Sequence, residues 1–333
     1  MPTTLVTGGA GFMGSHLADE LVAMGHRVVV LDDLSGGSRA NAPAAAELVQ
    51  GSVTDHECVD RLFARHRFDH VFHFAAHAAE GLSHFRKRFN YTNNLLGSVN
   101  VINASVNAGT VRCFVFTSSI AVYGPAQVPT SESTVPRPID PYGIAKYAVE
   151  LDLEEARHTF GLDFVVFRPH NVYGERQNVW DRYRNVIGIF MRQILRGEPM
   201  TIFGDGEQTR AFTHIADVTP ALARSIERPA TWNQAYNIGA DEPCTVNRLA
   251  TLVARAMGVE PRVVHLEPRH EVVHAVADHA KARAAFGDLK QGVTLEAGLA
   301  RMAQWVRSVG ARAPAAPPEL EVRKNLPASW VGD

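Results

Sequence analysis

The chain has 333 residues, 46% of them hydrophobic and 20% charged, which excludes a disordered or fibrous polymer and is long enough for two lobes. Thirty-three basic residues against 35 acidic ones leave a formal charge of −2, so no global field draws the chain to nucleic acid or to an anionic membrane, and any anion site must be local. Cys58, Cys113 and Cys244 lie far apart without metal-ligand spacing, and no apolar run approaches the roughly 18 residues that span a bilayer, so a cytoplasmic protein without disulfides is expected.

The first predicted strand, Thr4–Thr7, follows Met1 with no charged leader. Gly8-x-x-Gly11-x-x-Gly14 comes directly after it and opens a helix predicted over Phe12–Met24. At such a junction exposed backbone N–H groups and the helix dipole favour an anionic pyrophosphate, and glycine lets cofactor oxygens approach the backbone. Three glycines alone fit a ligand-free turn equally well. The next strand, Val28–Leu31, is followed by Asp32 and Asp33, where a carboxylate can accept hydrogen bonds from both hydroxyls of an adenosine ribose. A 2′-phosphate would be repelled by Asp32, and Leu34 to Gly37 bring no positive charge; Arg39 is the nearest. The pattern selects NAD over NADP.

Ala42–Ala46 reads as a loop, and after it helices at His56–Arg65, Asn94–Ala108 and Tyr142–Phe160 alternate with strands at His70–Phe74, Cys113–Thr117 and Phe164–Phe167. The strands are largely apolar, as where helices cover both faces of a parallel sheet, so the fold class is α/β: a doubly wound Rossmann sheet with a smaller C-terminal α/β substrate domain. Ser118 and Ser119 end the strand Cys113–Thr117, at the carboxyl side where open α/β sheets bind ligands. Tyr142 and Lys146, four apart at a helix start, project from one face. A phenol with an ordinary pKa of about 10 is a poor base at neutral pH. The Lys146 ammonium can stabilise its phenolate and bind the nicotinamide ribose, while Ser119 relays the proton. Spacing alone also fits a chance pair on a solvated helix; the neighbouring serines favour chemistry.

Beyond Gly174 the alternation weakens, and arginine, glycine and proline accumulate around Trp180–Arg184, Gly197–Met200 and Gly204–Gly206. The reading is a nucleotide-binding lobe over 1–174 and a substrate lobe over 175–333, with Ala235–Ile238 and Gly239 (235–240) returning to the first. His270-Glu271-Val272-Val273-His274 spells the His-Glu-x-x-His string of zinc proteases. Pro268 just before it and β-branched Val272 and Val273 oppose the helix that motif needs, so no metal site is read. Ala313–Pro318 reads as a linker to a polar tail.

Four segments together resemble the extended short-chain dehydrogenase/reductases, specifically UDP-glucose 4-epimerase-like proteins. They are Thr7-Gly-Gly-Ala-Gly-Phe-Met-Gly14, Thr117-Ser-Ser-Ile-Ala-Val-Tyr-Gly124, Pro141-Tyr-Gly-Ile-Ala-Lys146 and Arg168-Pro-His-Asn-Val-Tyr-Gly174. The likeness continues through Phe203–Arg210 and Tyr236–Gly239 to Asp278. It implies NAD bound by Gly8, Gly11, Phe12, Met13, Gly14, Asp32, Asp33, Ser52, Val53, Phe74, Ala75, Ala76, Asn94, Ser118, Tyr142, Lys146 and Pro169. It implies a UDP-sugar substrate held by Ser119, Tyr142, Asn171, Asn185, Val186, Thr201, Phe203, Arg210 and Arg269, with the asparagines near the diphosphate and the arginines on phosphate. Tyr142 would take the 4-hydroxyl proton, NAD the C4 hydride, and the 4-keto sugar would turn before hydride returns to its other face. Helices Asn94–Ala108 and Tyr142–Phe160 resemble those that form a four-helix homodimer interface in this family.

Three departures from the family pattern stand out. Ser52 replaces the usual aspartate that binds the adenine amino group, and Arg269-His270-Glu271 is one residue shorter than the usual arginine-x-x-acid pattern. Ala76–Glu80 and Trp180–Arg184 look specific to a subgroup and border the sugar pocket. A sugar 4,6-dehydratase carries an Asp-Glu pair where Ile120 and Ala121 stand, and a UDP-glucuronate decarboxylase carries a glutamate at Ala121. Neither alternative keeps its acid–base groups here. A silent NAD-binding protein is a third alternative, against which the intact Ser119, Tyr142 and Lys146 argue. Arg182 or Arg184 could meet a glucuronate carboxylate, but Asn171 and Asn178 stand where glucuronate epimerases often have threonine and arginine, which favours a neutral hexose.

Overall fold

The computed structural model describes residues 1–181, 185–268, 274–289, 292–310 and 319–327. Its centre is a seven-stranded sheet built from β1 (Thr3–Thr7), β2 (Arg27–Asp32), β3 (Glu47–Gln50), β4 (His70–His73), β5 (Cys113–Thr117), β6 (Phe164–Pro169) and a late strand, Gln234–Ile238. The order is β3-β2-β1-β4-β5-β6 with Gln234–Ile238 outside β6, and every pairing is parallel.

Alternation along the strands explains why they are apolar throughout. Val6, Val30, Phe72, Val115 and Phe167 pack on one face against Leu17 and Leu21 of α1 (Phe12–Ala23) and Leu222. Leu5, Leu31, Val71, Phe116 and Val166 pack on the other, against Val59 of α2 (His56–Arg65) and against two longer helices, Gly97–Ala108 and Pro141–Phe160. The strand Gln234–Ile238 sets Tyr236 beside Phe167.

Two elements differ from the sequence reading. β3 went unpredicted because it is a four-residue edge strand, half-exposed and without a period-two pattern. The helix predicted from Asn94 begins earlier: α3 (Glu80–Ser83) is followed by α4 (Lys87–Tyr91), a π-helical turn Thr92–Leu96 and α5 (Gly97–Ala108). That wider turn re-aims side chains relative to a regular helix. The next helix, α6, runs from Pro141 to Phe160.

Beyond Gly174 a separate core forms around Phe190, Met191, Leu249, Leu299 and Met302. It lies among α7 (Val186–Leu195), the strand Met200–Phe203, and the helices Val246–Ala256 and Leu295–Val309. Among the described residues no helix is long and apolar enough to cross a membrane.

Candidate active site

The parallel register sets the frame. Thr7 of β1 is level with His73 of β4, and His73 with Phe116 of β5, so the segments after β1 and β5 leave the same sheet edge two strand spacings, about 10 Å, apart.

After β1 the chain turns at Gly8, whose φ is +69° and where a Cβ would sit 2.7 Å from the Ala75 nitrogen. At Gly14 a Cβ would sit 2.3 Å from the Gly8 carbonyl oxygen, so no side chain fits. Gly11 stands at the N-terminus of α1, where no side chain caps the helix, and Phe12 and Met13 begin it. The result is a close-packed cradle of backbone N–H groups at a helix N-terminus, suited to a pyrophosphate. Asp32, at the end of β2, is buried, and accepts from the Ala10 N–H at 2.9 Å and the Leu34 N–H at 2.8 Å. Burial pushes its pKa up, against those backbone hydrogen bonds. Asp33 accepts from the Ser35 N–H. Arg39, the nearest cation in sequence, donates to Gln50 instead, and Ser52 shares a 2.9 Å hydrogen bond with Thr54. Val53 is buried, its carbonyl accepting from Asn100.

Across the crevice, Phe74 and Ala75 each donate a backbone N–H to the Thr7 hydroxyl at 3.2 Å, which ties the segment through Ala76 to the end of β1. Asn94, on the π-helical turn, accepts from the His77 N–H at 2.7 Å and donates to the His77 carbonyl and to Asn90. Pro169 ends β6 opposite Ile238.

The helix α6 starts where it does because Asp140 caps it, accepting from Gly143 at 2.9 Å, with Pro141 in its first position. Tyr142 follows, buried, its backbone N–H on the Ser83 hydroxyl. One turn on, Lys146 donates to the Thr117 carbonyl at 2.7 Å, and its ammonium lies 5.9 Å from the centre of the Tyr142 ring. Burial pulls the Lys146 pKa down to about 7, and the Glu150 carboxylate opposes that. Ser119, buried, caps the turn Ile120–Tyr123 that follows β5, its hydroxyl accepting from the Ala121 N–H at 3.1 Å. The structure thus brings Ser118, Ser119, Tyr142 and Lys146 together at the carboxyl end of β5.

A network that the sequence reading missed supports this cluster. Glu150, a further turn along α6, accepts from the Ser118 hydroxyl and pairs with Arg168, which donates to the Tyr123 hydroxyl at 2.7 Å. Tyr123 donates to Asn237. The signal was present: Glu150 follows Lys146 at i+4 on the buried face of its helix.

Of the residues expected around a nucleotide, Asn171 follows β6, and Asn185, Val186, Thr201, Phe203 and Arg210 lie beyond Gly174. Asn171 has a φ of +43°, Asn185 caps α7 and donates to the Val172 carbonyl at 3.1 Å, and Val186 begins that helix. Thr201 and Phe203 sit on the strand Met200–Phe203, alternating with buried Met200 and Ile202 and therefore facing away from the core. Thr201 bonds Gln193, and Arg210 donates to the Thr209 carbonyl. Arg269, His270, Glu271, Arg182 and Arg184 lie outside the described residues.

Residues 4–239 match the model of the NAD dependent epimerase/dehydratase family. The chain belongs to this family. UDP-glucose 4-epimerase of Mycolicibacterium smegmatis is 36% identical over 313 residues, covering 92% of this chain and 98% of that protein. The crystal structure of UDP-glucose 4-epimerase with UDP-glucose from Thermotoga maritima has a TM-score of 0.87 at 37% identity, over 92% of this chain and 99% of that one. The Thermus thermophilus UDP-glucose 4-epimerase complex with NAD has a TM-score of 0.84 at 32% identity, over the same shares. The protein is an NAD-dependent enzyme of the epimerase type, with the α/β fold read from its strand–helix alternation, and its glycine cradle and Asp32 fit that cofactor.

Proposed function

We propose that this family member interconverts the C4 epimers of a neutral UDP-hexose, of the glucose and galactose type, through a transient 4-keto sugar. The supporting observation is the buried group at the end of β5: Tyr142 and Lys146 on successive turns of α6, with Lys146 bonded to the Thr117 carbonyl, and Ser119 two residues after Thr117. Tyr142 takes the proton from the sugar 4-hydroxyl and later returns it, Lys146 stabilises the phenolate, and Ser119 shares the hydrogen bond. Bound NAD supplies the hydride acceptor and donor. Asp32 and the Gly8–Gly14 cradle hold the dinucleotide, with Asp33, Ser52, Val53, Phe74 to Ala76, Asn94 and Pro169 lining it. Asn171, Asn185, Val186, Thr201, Phe203, Arg210 and Arg269 hold the UDP moiety.

Elimination of water would need an acid–base pair beside Ser119, and the short turn Ile120–Tyr123 offers Ile120 and Ala121 there, neither able to exchange a proton. Asn171 and Asn178 favour a neutral sugar over a hexuronate. We further propose a cytoplasmic homodimer joined through α5 and α6, supported by Leu96 at the turn just before α5 and by Ile144 and Leu151 of α6, which are apolar yet 42–56% exposed.

The test is incubation of the purified protein with UDP-glucose, UDP-galactose, UDP-N-acetylglucosamine and UDP-glucuronate, with product resolution, beside Tyr142→Phe. UDP-glucose and UDP-galactose interconvert, and Tyr142→Phe keeps NAD but loses at least about 100-fold in rate. A higher kcat/KM on UDP-glucuronate contradicts the neutral-sugar reading. Conversion of none contradicts the enzyme reading, and activity in Tyr142→Phe removes that residue from its role.

A further inference from the structure

The segment Glu319–Pro327, late in the chain, lies against the first lobe, and one side chain in it does the work of a helix cap. The helix α4 begins at Lys87 and has no capping side chain of its own. Glu321, 233 residues further on, supplies one: its carboxylate accepts from the Arg88 N–H at 2.8 Å and the Phe89 N–H at 2.9 Å. The segment is pinned by its backbone as well, with the Glu321 and Val322 N–H groups both on the Phe85 carbonyl at 2.8 and 3.1 Å. α4 opens a helical run that continues through Thr92–Leu96 into α5, and its first backbone N–H groups have no intrahelical partner.

The buried contacts of α3 and α4 run to the start of α6. Asn90 donates to the Pro141 carbonyl at 2.8 Å, and Ser83 accepts from the Tyr142 N–H at 3.3 Å; both side chains are buried. Asn90 also accepts from Asn94, which holds His77. Phe89 and His77 meet edge to face at 5.0 Å, and the Arg86 guanidinium lies 3.7 Å from the centre of the Phe89 ring.

We propose that Glu321 is a positioning residue: by capping α4 it fixes Asn90, and through it the first turn of α6 that carries Tyr142. This rests on the assignment of Tyr142 to proton transfer. The ion pair with Arg88 is incidental to it, since the Arg88 side chain is 87% exposed at 3.6 Å and the cap engages backbone N–H groups.

The full-length variants Glu321→Ala, Glu321→Gln and Arg88→Ala separate these contributions by two readouts, UDP-glucose turnover and amide hydrogen exchange at Arg88, Phe89 and Tyr142. In Glu321→Ala, exchange at Arg88 and Phe89 speeds about five-fold, as for loss of a cap. Exchange at Tyr142 speeds with it, and kcat falls on the order of ten-fold with KM within about two-fold. Glu321→Gln, which keeps one acceptor oxygen, falls between, and Arg88→Ala matches the parent. If Glu321→Ala lowers Tm but leaves kcat and the Tyr142 amide unchanged, the segment is only a structural strap and the proposal is wrong. If Arg88→Ala does the same damage, the surface ion pair is responsible and the proposal is equally wrong. Should the parent convert no UDP-sugar, the assignment of Tyr142 fails, and the Tyr142 amide still decides whether Glu321 holds that turn.

Discussion

Lys146 is buried completely enough that its ammonium is costly, and it stays charged near neutrality only through what surrounds it. Burial lowers its pKa to about 7 while the Glu150 carboxylate raises it, and the Thr117 carbonyl accepts one of its protons. Since the charged form is the one proposed to steady a Tyr142 phenolate, the expected activity is held below that pKa and lost as pH rises through it. Glu150→Gln removes the opposing charge, so the alkaline limb of kcat against pH moves to lower pH; an unmoved limb would separate Glu150 from Lys146. The same change strands the Arg168 guanidinium, at a cost of about 3–5 kcal/mol, so Tm falls as well. Tyr142 and Lys146 were legible from spacing plus the serines that end β5. Glu150 was not read, because a glutamate in a helix is ordinarily taken as solvated and its burial depends on Arg168 arriving from another strand.

At the level of elements, strand–helix alternation carries the nucleotide-binding half, because a strand covered on both faces leaves an apolar run in the sequence and its helices a 3.6-residue period. β3 escaped, being a short edge strand open to solvent, and the π-helical turn before α5 escaped because one extra residue per turn leaves no compositional mark. The cradle was legible as a motif, and the structure adds its mechanical reason: Gly14 lies against the Gly8 carbonyl with no room for a methyl group. Gly14→Ala therefore pushes the turn open, costing about 1–3 kcal/mol, and the protein purifies without NAD. Retention of stoichiometric NAD, read from absorbance after denaturation, would show that the turn relaxes freely.

At the scale of the whole molecule, the segment after Gly174 ties distant helices together. His16 of α1 bonds the Glu175 carbonyl at 3.0 Å, Arg176 pairs with Asp19 of the same helix, and Arg301 reaches Glu175 from the helix Leu295–Val309. The cradle helix is thus tied directly to the lobe proposed to hold the UDP moiety. None of this was legible, nor was Glu321, since contacts between distant segments depend on how the second core packs. Assembly belongs to the same scale. Leu151 projects from α6 one heptad after Ile144, so Leu151→Glu places a charge in the proposed dimer interface. Light scattering at micromolar concentration then gives a dimer for the parent and a monomer for the variant; a monomeric parent would contradict the interface.

Reversible oxidation at carbon 4 makes one demand that no elimination or solvent-exchange route shares. UDP-glucose carrying deuterium at carbon 4, converted in ordinary water, yields UDP-galactose that keeps the label at carbon 4. Loss of the label to solvent, or the absence of UDP-galactose, would contradict the account.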